Sequence, residues 1–270
     1  MGPRVSIIMG IYNCAPTLVE SLDSIARQTY TDWEMILCDD GSKDDTLNVA
    51  REWARHDPRT KVLVNDRNLG LARTLDRCIA EAHGQLLARQ DGDDISEPDR
   101  LAKLVAAMDA HPEVAVVSSW MSCFDEHGVW GLVRTAMFPT RENFLRGSPV
   151  CHAPCMMRKS AVLAVGGYGA QPWVLLVEDY YLWFRLYAAG YKAMNVQEPL
   201  YRMRHDENAR KRRRLAGRIN EVRVRWRGFQ MLRFPIYKQL WAIRPILVWA
   251  MPQSLYRRLQ LRRLSPVPRS

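Results

Sequence analysis

The feature that most limits the fold is the alternation of short apolar runs with helical periods over residues 5–88. Val5-Ser6-Ile7-Ile8-Met9 is apolar and β-branched, the pattern of a strand buried on both faces. Pro16 to Gln28 then sets Leu18, Leu22 and Ile25 at helical spacing. Trp33 to Cys38 predicts a second buried strand, followed by a helix that Asp44 or Asp45 opens and that runs through Trp53. Lys61 to Val64 predicts a third strand, Leu71 to Ala82 a helix stopped by Gly84, and Gln85 to Ala88 a fourth strand. Such spacing folds as right-handed β-α-β units around a parallel sheet. Ligands of these sheets bind at the carboxyl ends of the strands.

Four polar, turn-forming clusters follow the predicted strand ends: Tyr12-Asn13, Asp39-Asp40, Asn68-x-Gly70 and Asp91-x-Asp93. They share one edge of the sheet. No G-x-G-x-x-G and no P-loop is present, which disfavours a classical dinucleotide or NTPase site. The sharpest cluster is Arg89-Gln90-Asp91-Gly92-Asp93-Asp94, three carboxylates within four residues. Exposed together they repel one another unless a cation neutralises them. Their hard oxygens favour Mg²⁺ or Mn²⁺ with positions open for substrate phosphates. The competing reading is a solvated acidic turn that leads into a helix at Ser96-Glu97-Pro98-Asp99.

Charge divides the chain unevenly. Residues 200–270 hold 19 Lys/Arg against 3 Asp/Glu, a balance of +16, and residues 1–199 hold 20 against 26, a balance of −6. The basic tail mixes Arg and Lys with Tyr237, Leu240, Trp241, Ile246, Leu247, Trp249, Leu255 and Tyr256, and Pro235, Pro245 and Pro252 interrupt it. A continuous apolar face among cations fits an interfacial amphipathic segment on an anionic membrane and disfavours nucleic acid. The expected division is a body over 1–208 and a basic helical tail over 209–270. The six cysteines are scattered, so they are read as reduced, and Cys151-His152-x-x-Cys155 lacks a second pair to complete a zinc site. Val5 to Met9 is too short for a signal peptide, and no apolar run is long enough to span a bilayer. Past residue 112, Val114 to Val117 and Ala153 to Met157 read as strands and Gly128 to Phe138 as an antiparallel excursion. Glu178-Asp179 begins a helix with Leu182, Trp183, Leu186 and Tyr187 on one face, stopped by Gly190.

Val-Ser-Ile-Ile-Met-Gly-Ile-Tyr-Asn, Cys-Asp-Asp-Gly-Ser, Asn-Leu-Gly-Leu-Ala, Asp-Gly-Asp-Asp, Gly-Gly-Tyr, Glu-Asp-Tyr-Tyr-Leu-Trp-Phe-Arg-Leu and Tyr-Arg-Met-Arg-His occur in that order. In these motifs the chain resembles the family 2 inverting glycosyltransferases of bacterial polysaccharide biosynthesis, over about residues 3–208. The resemblance implies an α/β GT-A fold, a mostly parallel central sheet flanked by helices, here with the basic amphipathic extension. It implies a nucleotide-binding set of Tyr12, Asn13, Asp39, Asp40, Asn68, Gly70, Arg73 and Asp91, with Asp40 accepting from uracil N3. It implies Asp93 and His205 at a Mn²⁺ or Mg²⁺ ion and Asp179 as general base. Tyr181 stands where an acid is frequent in the family, and Arg202 and Arg204 make the His205 segment basic enough to contact a diphosphate directly.

The expected function is transfer of a sugar, hexosyl or N-acetylhexosaminyl, from a UDP-sugar to a saccharide or lipid-linked acceptor, in the cytoplasm at the inner face of the membrane. A sugar nucleotidyltransferase also uses a nucleotide-binding α/β sheet, but the Gly-rich basic loop it needs near the N-terminus is missing. A catalytically silent UDP- or membrane-binding adaptor is the other alternative, and the retention of Asp93, Asp179 and His205 argues against it.

Overall fold

The computed structural model describes residues 2–169, 171–204, 215–251 and 265–266. Its first half follows the predicted alternation: β1 (Val5–Ile11), α1 (Ala15–Ala26), β2 (Trp33–Asp39), α2 (Thr46–His56), β3 (Thr60–Val64), α3 (Leu71–Glu81) and β4 (Leu86–Arg89). β1 lies between β2 and β4, and β3 flanks β2, all parallel. Alternate residues of β1 enter two cores, Ile8 with Ile36 and Leu87 on one face, and Val5, Ile7 and Met9 with Met35 and Leu37 on the other. Burial on both faces is why the run is continuously apolar.

β5 (Ile95–Ser96) and α4 (Arg100–Ala110) follow, then β6 (Val114–Asp125) and β7 (Gly128–Val133), which form the expected antiparallel excursion. β8 (Met156–Arg158) lies antiparallel between β4 and β6. α5 (Lys159–Ala164) and α6 (Glu178–Ala188) lead to β9 (Lys192–Arg204), which runs parallel to β6 and antiparallel to β5. From sequence alone only Pro199 to Met203, the last part of β9, reads as extended. Proline cannot donate to a ladder, so Pro199 reads as a strand start. The pairing instead shifts register between Ser119 and Trp120, opposite Pro199, and the strand continues.

α7 (Leu215–Met231) packs on α6. Val224, Phe229, Leu232 and Phe234 enter the same core as Trp183 and Phe184. Gly228 sits directly on the Phe184 ring, where an added Cβ would lie 2.3 Å from Cγ. Arg225, 1 % exposed, donates to the Leu145 carbonyl at 2.7 Å. This part of the basic segment is therefore a layer of the fold. Two short helices, α8 (Ile236–Gln239) and α9 (Arg244–Trp249), follow it. A two-residue strand, β10 (Ser265–Pro266), pairs antiparallel with β7.

The Gly228 contact makes a direct prediction. Gly228→Ala places its methyl inside the Phe184 ring and should cost about 1–3 kcal/mol through overpacking. Thermal unfolding should show a clear fall in Tm, whereas an unchanged Tm would mean that α7 and α6 are not in this register.

Candidate active site

The loops after β1, β2, β3 and β4 converge at the carboxyl edge of the sheet. Asn13 adopts φ +49°, which asparagine tolerates better than most residues. Its Oδ1 accepts from the Lys43 amide at 2.8 Å, and its own amide donates to Ser42 Oγ at 3.1 Å. The β1 loop is thereby fixed to the Asp39–Ser42 turn, and Tyr12 is left 45 % exposed at the mouth. Gly41, at φ +73°, packs against the next loop so closely that a Cβ would lie 2.7 Å from the Arg67 carbonyl carbon.

The two adjacent aspartates have different environments. Asp40 Oδ1 accepts from Asn65 Nδ2 and from the Leu69 amide, both at 2.8 Å, and Oδ2 accepts from the Gly70 amide at 2.9 Å. Asp40 thus builds the 68–70 loop. Asp39 Oδ2 accepts from the Ser42 amide at 3.1 Å, and its buried Oδ1 has no partner among the described residues. Asn68 is exposed on that loop, and Arg73 is exposed on the first turn of α3.

The acidic turn is not a solvated one. Arg89 ends β4 with only 1 % exposure, and its Nη1 lies 2.7 Å from both Asp91 Oδ1 and the Gln90 carbonyl. Gln90, fully buried, donates to Ser21 Oγ and to the carbonyls of Asp91 and Asp94. Gly92 is required by close approach, since a Cβ there would lie 2.7 Å from Cys14 Sγ. Asp94 is buried and accepts from the Arg204 amide at 2.7 Å, which fixes the end of β9 beside the turn. Burial, then the charges of Asp91 and Asp93, hold its carboxyl well above the ordinary range.

Arg202 and Arg204 are committed to protein rather than to a diphosphate, which corrects that expectation. Arg202 pairs with Glu97 at 2.6 Å, while Arg204 pairs with Glu20 and donates to the Asp93 carbonyl at 3.0 Å. His205, the next residue, lies outside the described residues.

Across the site, α6 begins at Glu178-Asp179. Asp179 is half-buried and Glu178 is buried. Burial first, and then the Asp179 charge, push Glu178 up to about 7, and its Oε2 has no partner among the described residues. Asp179 is also raised by burial, but the Tyr180 amide and Arg89 oppose the rise. Arg89 thus contacts Asp91 and acts electrostatically on both α6 acids. His152 Nε2 lies 2.7 Å from the Tyr168 hydroxyl, and burial followed by Arg89 holds its imidazole well below the usual range, hence neutral. Sequence reasoning gave Arg89 no role of its own and weighed His152 only as half of a zinc site. The available signal was a cation ending an apolar strand immediately before three acids.

Among the described residues no three His, Cys, Asp or Glu side chains converge to hold a metal by themselves. Asp91 faces Arg89 and Asp94 is tied to β9, and the carboxylates of this turn, Asp93 among them, supply hard oxygen donors of the kind a divalent ion takes. A hard oxygen donor with most positions left to a substrate diphosphate is a set that Mg²⁺ or Mn²⁺ accepts.

The model of glycosyl transferase family 2 matches residues 6–166, and that of glycosyl transferase family group 2 matches residues 90–264. The chain is 39 % identical over 264 residues to the putative glycosyltransferase EpsE of Bacillus subtilis, covering 97 % of this chain and 95 % of that one. It is 30 % identical over 237 residues to the UDP-Gal:alpha-D-GlcNAc-diphosphoundecaprenol beta-1,3-galactosyltransferase of Escherichia coli, covering 84 % of each. In fold it resembles the mannosyltransferase PcManGT from Pyrobaculum calidifontis, solved with GDP-Man and Mn²⁺. The TM-score is 0.65 at 22 % identity, over 99 % of this chain and 77 % of that one. The α/β architecture is therefore the GT-A fold.

Glu178 supplies a pH test. Its carboxyl is raised from 4.5 to about 7 in the folded chain. Between those values the folded state holds a proton that the unfolded state releases, so stability falls as pH rises through the window. Glu178→Gln removes that penalty. The Tm of the variant relative to the parent should therefore be higher at pH 8 than at pH 5, and a difference that does not change with pH would contradict the assignment.

Proposed function

The chain belongs to glycosyl transferase family 2, and we propose that it inverts the anomeric centre while transferring a sugar from a UDP-sugar to a saccharide or lipid-linked acceptor in cell-surface polysaccharide synthesis. The observation that carries this reading is the disposition of Asp91 and the α6 acids about the buried Arg89. Carboxylates read here as donor-side and acceptor-side are then related through one buried cation. The Escherichia coli relative is named for a UDP-sugar donor and a diphosphate-lipid acceptor, which supports both classes here.

The uracil and ribose lie against Tyr12, Asn13, Asp39, Asp40 and the Asn68–Gly70 loop, with Arg73 at the rim and Asp91 toward the ribose or sugar. Asp40 already accepts three protein hydrogen bonds, so its part is chiefly to hold the loop that shapes the base pocket. Asp93, with His205 from the chain after β9, would hold Mn²⁺ or Mg²⁺. Bound there, the ion neutralises charge on the departing diphosphate. Asp179 takes the proton of the acceptor hydroxyl. That oxygen bonds to the anomeric carbon as the bond from that carbon to the diphosphate breaks, and UDP departs with the electron pair. Glu178, buried and with its carboxyl pushed up to about 7, is the rival base one residue earlier.

Transfer assays test the base. Asp179→Asn should lower turnover by about 10²–10⁴. UDP affinity by calorimetry should move less than about 1 kcal/mol, because the amide leaves the donor side intact. Loss of transfer in Glu178→Gln but not in Asp179→Asn would move the base by one residue. UDP-sugar binding without any turnover in the parent protein would instead favour the silent adaptor, and tighter binding of GDP than UDP would change the donor class.

The membrane side of the proposal rests on α8, α9 and the turn between them. Ile236, Tyr237, Leu240, Trp241, Leu247 and Trp249 are each at least 50 % exposed. No described helix is long and apolar enough to cross a membrane. We assign this apolar row, within a segment of charge +16, to the surface of an anionic bilayer, where each nearby Lys or Arg contributes on the order of 1 kcal/mol. Trp241→Ser combined with Trp249→Ser should cut co-sedimentation with phosphatidylglycerol vesicles several-fold. Sedimentation equal to that of the parent would refute the assignment.

A further inference from the structure

His152 enters the site from the start of β8. That strand runs antiparallel to β4, with Ala88 opposite Met156, so its start lies at the carboxyl edge where the acidic turn begins. The Arg89 amide donates to the Cys155 carbonyl at 2.9 Å, and the Cys155 amide donates to the His152 carbonyl at 3.2 Å. On β6, Ser118 Oγ donates to the Cys151 carbonyl at 2.7 Å. The chain around His152 is thus hung on the strand end that leads to Asp91. The imidazole meets the Trp183 ring edge-on, 6.0 Å between centroids. Asp179 and Trp183 are i, i+4 on α6, hence on one face of that helix. His152 therefore borders both the Arg89 end of β4 and the helix face that carries Asp179.

Tyr168 decides which ring nitrogen carries the proton. Its amide donates to Asp76 Oδ1 at 2.7 Å, and Arg185 Nη2 donates to its carbonyl at 2.9 Å, so α3 and α6 both hold its backbone. The phenol is fully buried, and burial holds it well above its ordinary range, so it keeps its proton. Its hydroxyl has one partner among the described residues, His152 Nε2 at 2.7 Å. A buried hydroxyl that donates to nothing is costly, so Tyr168 donates and Nε2 accepts. The neutral ring then carries its one proton on Nδ1. Nδ1 has no partner among the described residues, and the ring is only half-buried. A histidine that served the core alone would have both nitrogens satisfied by protein. This one leaves over a fixed N–H donor, flanked by Arg89 and the Asp179 face of α6.

We infer that His152 is a specificity-determining residue of the transfer, its Nδ1–H donating to an oxygen of the sugar being transferred and Tyr168 fixing that tautomer. The inference rests on the transferase reading, which puts the diphosphate at the acidic turn and the base at Asp179. The carbon that reacts lies between the two, and so does the sugar that carries it. A neutral donor suits the uncharged oxygens of a sugar, and it adds no second cation beside Arg89.

The test uses the full chain. With ¹⁵N-labelled histidine, the signals of His152, identified by their absence in His152→Asn, should show a protonated Nδ1 and a bare Nε2 near neutral pH. The Nδ1 signal should move on addition of a nucleotide sugar and stay in place with UDP or GDP alone. Calorimetry then compares UDP-glucose, UDP-galactose, UDP-N-acetylglucosamine and GDP-mannose with UDP and GDP. For the nucleotide sugar that the parent binds best, His152→Ala should lose about tenfold in affinity, while affinity for the bare nucleotide stays within about twofold. His152→Asn, whose amide sets an N–H close to the Nδ1 position, should recover most of that loss. Tyr168→Phe, which frees the tautomer and keeps the ring, should lose several-fold. A proton on Nε2 would overturn the inference. So would undiminished nucleotide-sugar affinity in both His152→Ala and Tyr168→Phe, or equal losses for the nucleotide and its sugar. An effect confined to the KM of the acceptor would also overturn it, by moving the contact to the other substrate. If a nucleotide sugar shows the stated differences and is never turned over, the transferase reading fails and the His152 contact stands.

Discussion

Arg89 is a full positive charge at the end of a central strand, 1 % exposed. A buried cation must be compensated by nearby acceptors, because the loss of hydration is far too large to leave standing. Its compensation organises the site. Asp91 faces it directly at 2.7 Å, and the α6 acids lie within its field. The acidic turn can therefore bend back under the sheet edge instead of pointing at solvent. Gln90 holds the turn's shape from below by donating to the carbonyls on either side of it. Removing the guanidinium would leave Asp91 half-buried without its partner and take away the cation that opposes the raised values of Glu178 and Asp179.

Around that charge the loops hold one another. Asn13 reaches the β2 loop, Gly41 touches the β3 loop, and Asp40 supplies acceptors for the amides of the same loop. Asp94 closes the ring by fixing the end of β9. Each tie is a polar group satisfied at a strand end, so this edge of the sheet is held in shape by the protein itself. The mouth is then finished by side chains that make few protein contacts, Tyr12, Asn68 and Arg73.

The strands and helices of residues 5–89 were legible because burial on both faces writes a continuous apolar run, and because Asp, Asn and Gly mark the turns. The α6 start was legible for a related reason, acids at a helix N-terminus ahead of a strong apolar face. What escaped was set by contacts distant in sequence. The length of β9 was set by a distant partner: the strand runs on through Pro199, where β6 shifts register opposite it. The task of Asp40 depends on amides some thirty residues away. Arg202 and Arg204 read as ligands for phosphate until Glu97 and Glu20 were seen beside them. The basic composition of residues 215–231 concealed an inner face, since Val224, Gly228 and Phe229 are few among many cations but all lie on one side.

The contact of Gly228 with the Phe184 ring constrains how this chain can vary in length. Each residue added to or removed from α7 ahead of Gly228 turns the remaining helix by about 100° and advances it by about 1.5 Å. A single insertion would swing Gly228 away from Phe184 and bring a bulky neighbour, Arg227, against the ring. Between residues 215 and 228, then, the chain tolerates exchange of exposed side chains but not insertion or deletion, and length changes are confined to the connections before α7 and after Leu232.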